Sequence, residues 1–173
     1  MSVLEKFKSI RTFAFDVDGV MTDGSVLLYQ SGEQVRRMST RDGYSLQLAV
    51  HKGYRVVVVS GALSEGVRQR LLYLGIKDIF LETHDKAGIL RQYAADHGLD
   101  VNDMLYMGDD IPDFHPMQLV GLACAPADAA PEIRHIAAYI SSFNGGQGCV
   151  RDVIEKVLKL NGHWDLNATV ASK

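Results

Sequence analysis

Residues 54–61 read YRVVVVSG, and the four consecutive valines in that run constrain the fold more than any other feature of the chain. Successive side chains of a strand point to opposite faces, so Val56 to Val59 put β-branched apolar groups on both. Both faces must then be covered, as in a central strand of a parallel sheet flanked by helices. The rest of the chain supplies the matching alternation. RTFAFD (11–16) reads as a strand ending in acid, and RDGYSLQLAVHKG (41–53) as a helix closing at Gly53. Leu63 to Leu74 reads as a helix closing at Gly75, followed by the short strand DIFLE. Then come a helix over Lys86 to His97, a strand DMLYMGD, a helix over Ile111 to Leu119 and a strand GLACAP. A helix over Ala129 to His135, a strand AAYIS and, behind the glycine-rich NGGQG, a helix CVRDVIEKVLKL complete the series. The pattern specifies an α/β fold, a Rossmann-like mostly parallel sheet with helices on both faces and right-handed crossovers. SVLLYQ and EQVRRMS, separated by SG, interrupt the rhythm and predict a hairpin protruding near residues 24–39.

A chain of 173 residues suits one domain, expected over 1–162, with HWDLNATVASK (163–173) as a flexible tail because it has no period. Net charge is -3 and the basic residues are scattered, which argues against nucleic acid as a partner. No apolar run has bilayer length, and the first fifteen residues lack the apolar centre of a signal peptide. The expectation is a cytoplasmic protein without a membrane partner. Cys124 and Cys149 stand far apart in no metal-binding spacing and are expected as reduced thiols near the core, not as a zinc site or a disulfide.

Chemistry concentrates at FDVDGVMTDG (15–24), where Asp16, Asp18 and Asp23 follow an apolar strand. Carboxylates at the tip of a buried strand repel one another and lose solvation, so a cation or a proton must join them. In open parallel sheets the ligand site lies at the carboxyl ends of the strands. Those ends carry Asp16 and Asp18, Ser60 and Gly61, and Asp109 and Asp110, while Lys86 opens the helix after DIFLETHD. Residues two apart in an extended segment share a face, so Asp16 and Asp18 can enter one pocket while Val17 packs. With the acids of GDDIPD they form an oxygen-only cluster, which suits magnesium and not zinc. Ser60, Lys86 and the metal all bind phosphoryl oxygens, which makes attack by a carboxylate on phosphorus feasible through an aspartyl-phosphate.

DVDGVMTDG, VVVVSG, Lys86 and GDDIPD fall in the order of the four motifs of the haloacid dehalogenase superfamily, which the chain therefore resembles over roughly residues 10–160. The DxDGVxTDG form, the small size, RDG at Arg41 to Gly43 and GGQGCVRDV resemble the 3-deoxy-D-manno-octulosonate 8-phosphate (KDO8P) phosphatases within it. The resemblance implies a fold without a cap domain and hydrolysis of KDO8P in lipopolysaccharide precursor synthesis. It makes Asp16 the nucleophile and Asp18 the general acid/base. Magnesium would be bound by Asp16, the backbone carbonyl of Asp18 and Asp109, with Asp110 and Asp113 as outer carboxylates. Ser60, Gly61 and Lys86 would hold the phosphoryl group, with Arg41 available to the substrate. The resemblance also implies a homotetramer whose hairpins meet at the centre and whose active sites are covered by neighbouring subunits. The C-terminal segment is another candidate cover, since the linker after the first motif holds only a hairpin.

Many of those phosphatases have an arginine after the second-motif glycine, where this chain has Ala62. Arg41, Arg68 or Arg151 would then stand in for it, or the substrate would be 2-keto-3-deoxy-nononic acid 9-phosphate or N-acetylneuraminate 9-phosphate. A response-regulator receiver also combines acids, Ser or Thr, Lys and magnesium, but its acceptor aspartate ends a middle strand, where VVVVSG has none. A catalytically inactive module of the same fold, serving only oligomerisation, is the remaining reading from another class. The sequence also allows purely structural roles: a turn for Asp23, a helix cap for Asp110, a cap for Arg41 and Asp42, a structural His84 and a simple loop for NGGQG.

Overall fold

Val56 and Val58 point to one face of a sheet and Val57 and Val59 to the other, and none is more than 4% exposed. In the computed structural model, which describes residues 2–166 and 170, six strands form that sheet. They are β1 (Thr12–Phe15), β4 (Arg55–Val59), β5 (Asp78–Phe80), β6 (Met104–Met107), β7 (Leu122–Ala125) and β8 (Tyr139–Ile140). Their order is β5-β4-β1-β6-β7-β8, and every neighbouring pair is parallel. Between them β2 (Leu27–Leu28) and β3 (Gln34–Val35) pair antiparallel as a separate two-stranded sheet, with a bridge from Thr22 to Met38 at its base.

One face of the main sheet, with Phe13, Phe15, Val56, Val58, Leu105 and Met107, is covered by α1 (Val3–Ser9), α2 (Thr40–His51), α3 (Glu65–Tyr73) and α7 (Cys149–Leu160). The other, with Ala14, Val57, Val59 and Tyr106, is covered by α4 (Lys86–His97), α5 (Phe114–Leu119) and α6 (Pro131–Ile136). No cap domain interrupts the described residues; the segment between β1 and α2 holds only the hairpin. From β1 the chain runs outward through β4 to β5, then crosses to β6 and continues through β7 to β8. This reversal beside β1 opens the crevice where such sheets bind ligands.

Four departures from the sequence expectations have local causes. Helix α1 was not anticipated, although Ser2 and Glu5 form a capping box, with Glu5 N donating to Ser2 Oγ and Ser2 N to Glu5 Oε2. The helix expected over Ile111–Leu119 is a 3-10 turn, Ile111–Asp113, followed by α5. Helix α3 starts at Glu65, two residues late, because Ser64 caps it through Val67 N. At the start of the tail, His163 Nδ1 hydrogen-bonds the Tyr54 hydroxyl at 2.9 Å and Trp164 packs edge-on to Tyr44 with Arg151 over its ring. These two residues are tied to the domain; residues 167–169 and 171–173 of the expected flexible tail lie outside the described residues.

Candidate active site

The backbone of β1 continues one step past its end, with Asp16 N donating to Met107 O at 3.1 Å, so Asp16 is fixed beside the end of β6. There the chain turns sharply at Gly19, whose φ is +80°. A Cβ at Gly19 would stand 1.9 Å from Asp109 Oδ2, so only glycine lets this loop lie against the β6 loop. Thr22 Oγ1 braces the turn, accepting from Gly19 N and Gly24 N at 3.3 and 3.2 Å. The NGGQG segment presses on its back: Gly146 N donates to Val20 O, and a Cβ on Gly145 would be 2.0 Å from Gly19 O. That segment is a buttress for the acidic loop and not a simple connection.

Three more strand ends bring the other groups. Ser60, just past β4, is buried and accepts from Ala62 N at 3.2 Å. Lys86, the first residue of α4, is also buried. Beyond β6, the turn Ile111–Asp113 carries Asp113 back beneath Asp109, where it is fully buried. Lys86 Nζ lies 2.9 Å from Asp16 Oδ2 and 2.7 Å from Asp113 Oδ1. Asp113 Oδ1 also accepts from the Tyr106 hydroxyl at 2.6 Å, and Oδ2 from Asp109 N at 2.9 Å. Asp16, Asp18, Ser60, Thr83, His84 and Lys86 line a cavity of about 360 Å³.

The electrostatics of this cluster call for a cation. Asp16, Asp109 and Asp113 each offer a carboxylate oxygen within 4.8 Å of the others, against the single ammonium of Lys86. Burial, then the charge of Asp113, pushes the Asp16 carboxyl up to about 8 despite Lys86. Burial, then Asp113 and Asp110, pushes Asp109 up to about 7. Burial pulls Lys86 down, but Asp16 and Asp113 together outweigh it, and its ammonium is held above the usual lysine value. A hard divalent cation relieves the excess negative charge, and a donor set made only of oxygens fits magnesium.

The structure thus gathers Asp16, Asp18, Ser60, Gly61 and Lys86 on one cavity, with Asp109 and Asp113 in the adjoining carboxylate cluster. The third carboxylate of that cluster is Asp113, expected farther out, and not Asp18. Asp18 instead turns its carboxylate to Arg36, whose Nε and Nη2 donate at 2.7 and 3.1 Å. Asp110 is exposed and caps the turn through Ile111 N. Arg41 is not brought to the cluster; it lines a separate cavity with Phe143, Arg151 and Lys159. Arg68 lies beside Glu65 on α3, and neither it nor Arg151 lines the Asp16 cavity. Asp42 does not cap its own helix, a task taken by Ser39; its Oδ1 accepts from Arg151 N at 2.8 Å and so caps α7. Asp23 makes a turn contact to Ser25 and an ion pair with Arg37, while His84 sits on the cavity wall. Sequence reasoning missed Arg36 and Tyr106: an arginine in a hairpin and a tyrosine in a strand carry no spacing signal.

A family model described as haloacid dehalogenase-like hydrolase matches residues 73–154, a span that holds Lys86 and Asp109 to Asp113. The 3-deoxy-D-manno-octulosonate 8-phosphate phosphatase KdsC of Escherichia coli K12 is 31% identical over 163 residues, covering 94% of this chain and 87% of that protein. The crystal structure of the 3-deoxy-D-manno-octulosonate 8-phosphate phosphatase from Yersinia pestis superposes with a TM-score of 0.91 at 30% identity, covering 93% of this chain and 87% of that one. The phosphatase of the same name from Moraxella catarrhalis, crystallised in complex with magnesium ion, phosphate ion and a KDO molecule, gives 0.89 at 30% identity, with 91% of each chain covered.

Proposed function

This chain belongs to the haloacid dehalogenase-like hydrolases, and on that premise we propose that it is a magnesium-dependent phosphatase acting on KDO8P. The observation that carries the reading is the buried Asp16–Lys86–Asp113 arrangement beside Asp109, on a cavity that also holds Asp18 and Ser60. Within it, Asp16 attacks phosphorus, forming an aspartyl-phosphate as the bond to the sugar oxygen breaks. Asp18 gives a proton to that oxygen and then takes one from the water that opens the intermediate. The Ser60 hydroxyl and the Lys86 ammonium hold phosphoryl oxygens; of the three Nζ donors, Asp16 and Asp113 engage two, and the third remains for the substrate. Asp113 has both oxygens engaged by Lys86, Tyr106 and the Asp109 amide, so its part is to hold Lys86 and Asp109 in place. Asp16, Asp109 and the backbone carbonyl of Asp18 would hold magnesium, which supplies charge neutralisation between the nucleophile and the phosphoryl oxygens. Inactivity of the module would leave this assembled and charge-strained cluster without a purpose.

The proposal extends to a single phosphatase domain over residues 1–162, working in the cytoplasm in lipopolysaccharide precursor synthesis. Among the described residues no helix is long and apolar enough to cross a membrane. It extends also to a homotetramer with neighbouring subunits over the active sites. Support comes from the hairpin, where Leu27, Leu28 and Tyr29 are 60%, 70% and 52% exposed in a two-stranded sheet too short to stand alone. Ala62 favours a second reading, a nine-carbon sugar acid 9-phosphate, because its small side chain lines the cavity wall where a larger residue would fill space. The test is phosphate release with magnesium from KDO8P, 2-keto-3-deoxy-nononic acid 9-phosphate, N-acetylneuraminate 9-phosphate and hexose phosphates. The highest kcat/KM is expected for KDO8P; preference for a nine-carbon acid would move the assignment to the second reading, and no turnover of any would overturn both.

A further inference from the structure

Three loops meet at the carboxylate cluster. The loop after β1 carries Asp16 and Asp18, the loop after β6 carries Asp109, and the two touch where the Asp109 carboxylate fills the space beside Gly19. The loop after β7, residues 126–130, contributes no group to the cluster, yet it is bonded to both sides of it. Ala130 N donates to Asp109 O at 2.8 Å, which fixes the backbone of the β6 loop. Asp128 Oδ1 accepts from Gly145 N at 2.9 Å, and Ala127 N donates to Phe143 O at 3.0 Å, which together fix the NGGQG segment and its entry. That segment in turn holds the β1 loop through Gly146 N, which donates to Val20 O at 2.9 Å.

These links close a ring from Asp109 through the β7 loop, NGGQG and the Gly19 turn back to Asp109. Asp128 is a side-chain bond in a ring otherwise closed by backbone bonds and close packing. The packing leaves NGGQG no room to move inward, since a Cβ on Gly145 would stand 2.0 Å from Gly19 O and one on Gly146 2.6 Å from the Thr22 carbonyl carbon. The Asp128 bond resists movement the other way. Gly145 is buried, so without Asp128 its N–H would lose its acceptor in a place poorly reached by water. The ordinary task for an aspartate at this position, capping the helix that follows, is not the one it performs: the N-cap of α6 is Ala130, with no side-chain cap bond.

We propose that Asp128 is a positioning residue for the magnesium site: its bond to Gly145 N holds NGGQG against the Gly19 turn and so keeps Asp16 and the Asp18 carbonyl at their distance from Asp109. Side chains that hold metal ligands from outside set metal affinity through the placement of those ligands. This inference rests on the magnesium-dependent reading above and adds to it a residue outside the carboxylate cluster.

The experiment titrates magnesium into the full chain by isothermal calorimetry, without substrate, for wild type, Asp128→Ala, Asp128→Asn and Asp128→Glu. In Asp128→Ala the magnesium Kd is expected to rise at least about fivefold. The melting temperature in chelator should fall by no more than about 3 °C. Asp128→Asn keeps the accepting oxygen and should bind as wild type does. Asp128→Glu lengthens the arm and should weaken binding by a smaller factor, which keeps the test open if the alanine variant does not fold. The magnesium concentration for half-maximal phosphate release from KDO8P should rise in step with Kd, with excess magnesium restoring kcat. An unchanged Kd in both the alanine and the glutamate variants, or an asparagine variant as weak as alanine, overturns the role of Asp128. A wild type that binds no magnesium would overturn the metal reading itself, and this role with it.

Discussion

Asp16, the proposed nucleophile, is a carboxyl whose surroundings in the protein push it up past neutrality, and this has consequences for stability as well as for turnover. Its folded-state value of about 8, with about 7 for Asp109 and about 6 for the buried Asp42, lies above the ordinary aspartate value of 3.8 in each case. A carboxyl raised on folding stabilises the protein fully below its unfolded value, and that contribution is lost as pH rises through the folded value. Metal-free protein is therefore expected to lose thermal stability between about pH 4 and pH 8, with magnesium restoring it most at the upper end, where the carboxylates are ionised. Differential scanning fluorimetry across that range, with chelator or with magnesium, reads this directly. A metal-free melting temperature that rises toward pH 8 would contradict it.

At the scale of elements, α7 shows how the fold ties the acidic loop to the rest of the molecule. Its N-cap is Gly148, which has no side chain to offer, and Asp42 from α2 caps it instead through Arg151 N. Asp42→Ala is expected to cost about 1–2 kcal/mol in urea denaturation, and Asp42→Asn, which keeps the capping oxygen and buries no charge, much less. An alanine variant as stable as wild type would remove the cap from the account. This cap was not legible in the sequence, because RDG stands over a hundred residues from its partner and a helix start of its own was the nearer explanation. What was legible followed from local pattern. Lys86–His97 and Cys149–Leu160 end where the periodicity and glycine signals put them, and β1 and β6 end one and two residues before the expected Asp16 and Asp109. Helix α1 carried a readable capping box but only seven residues of pattern. The site divides in the same way: Asp16, Ser60 and Asp109 follow from which residues come just after which strand, and Lys86 from which residue opens a helix. The inward swing of Asp113, the Tyr106 hydroxyl and the Arg36 grip on Asp18 depend on turns and hairpin packing that no short spacing encodes.

For the whole molecule, the open question set by the fold is what covers an active site that no cap domain encloses among the described residues. The hairpin presents exposed Leu27 and Leu28 away from the core, the kind of patch that a second copy buries. Leu28→Glu is expected to convert the proposed tetramer to smaller species in sedimentation velocity and to lower kcat/KM at least about tenfold, since a like charge would meet its own copy at the interface. A wild type that sediments as a monomer with full activity would contradict both the assembly and the covering role.

Asp16 is the residue proposed to form the covalent bond to phosphorus. The most direct measurement is an acid-quenched single turnover with KDO8P labelled at phosphorus in the presence of magnesium, followed by identification of the labelled peptide. Label on Asp16 is expected to appear no more slowly than product, with neither label nor turnover in Asp16→Asn. Product formed at the same rate with no label on Asp16, or turnover surviving in Asp16→Asn, would contradict it.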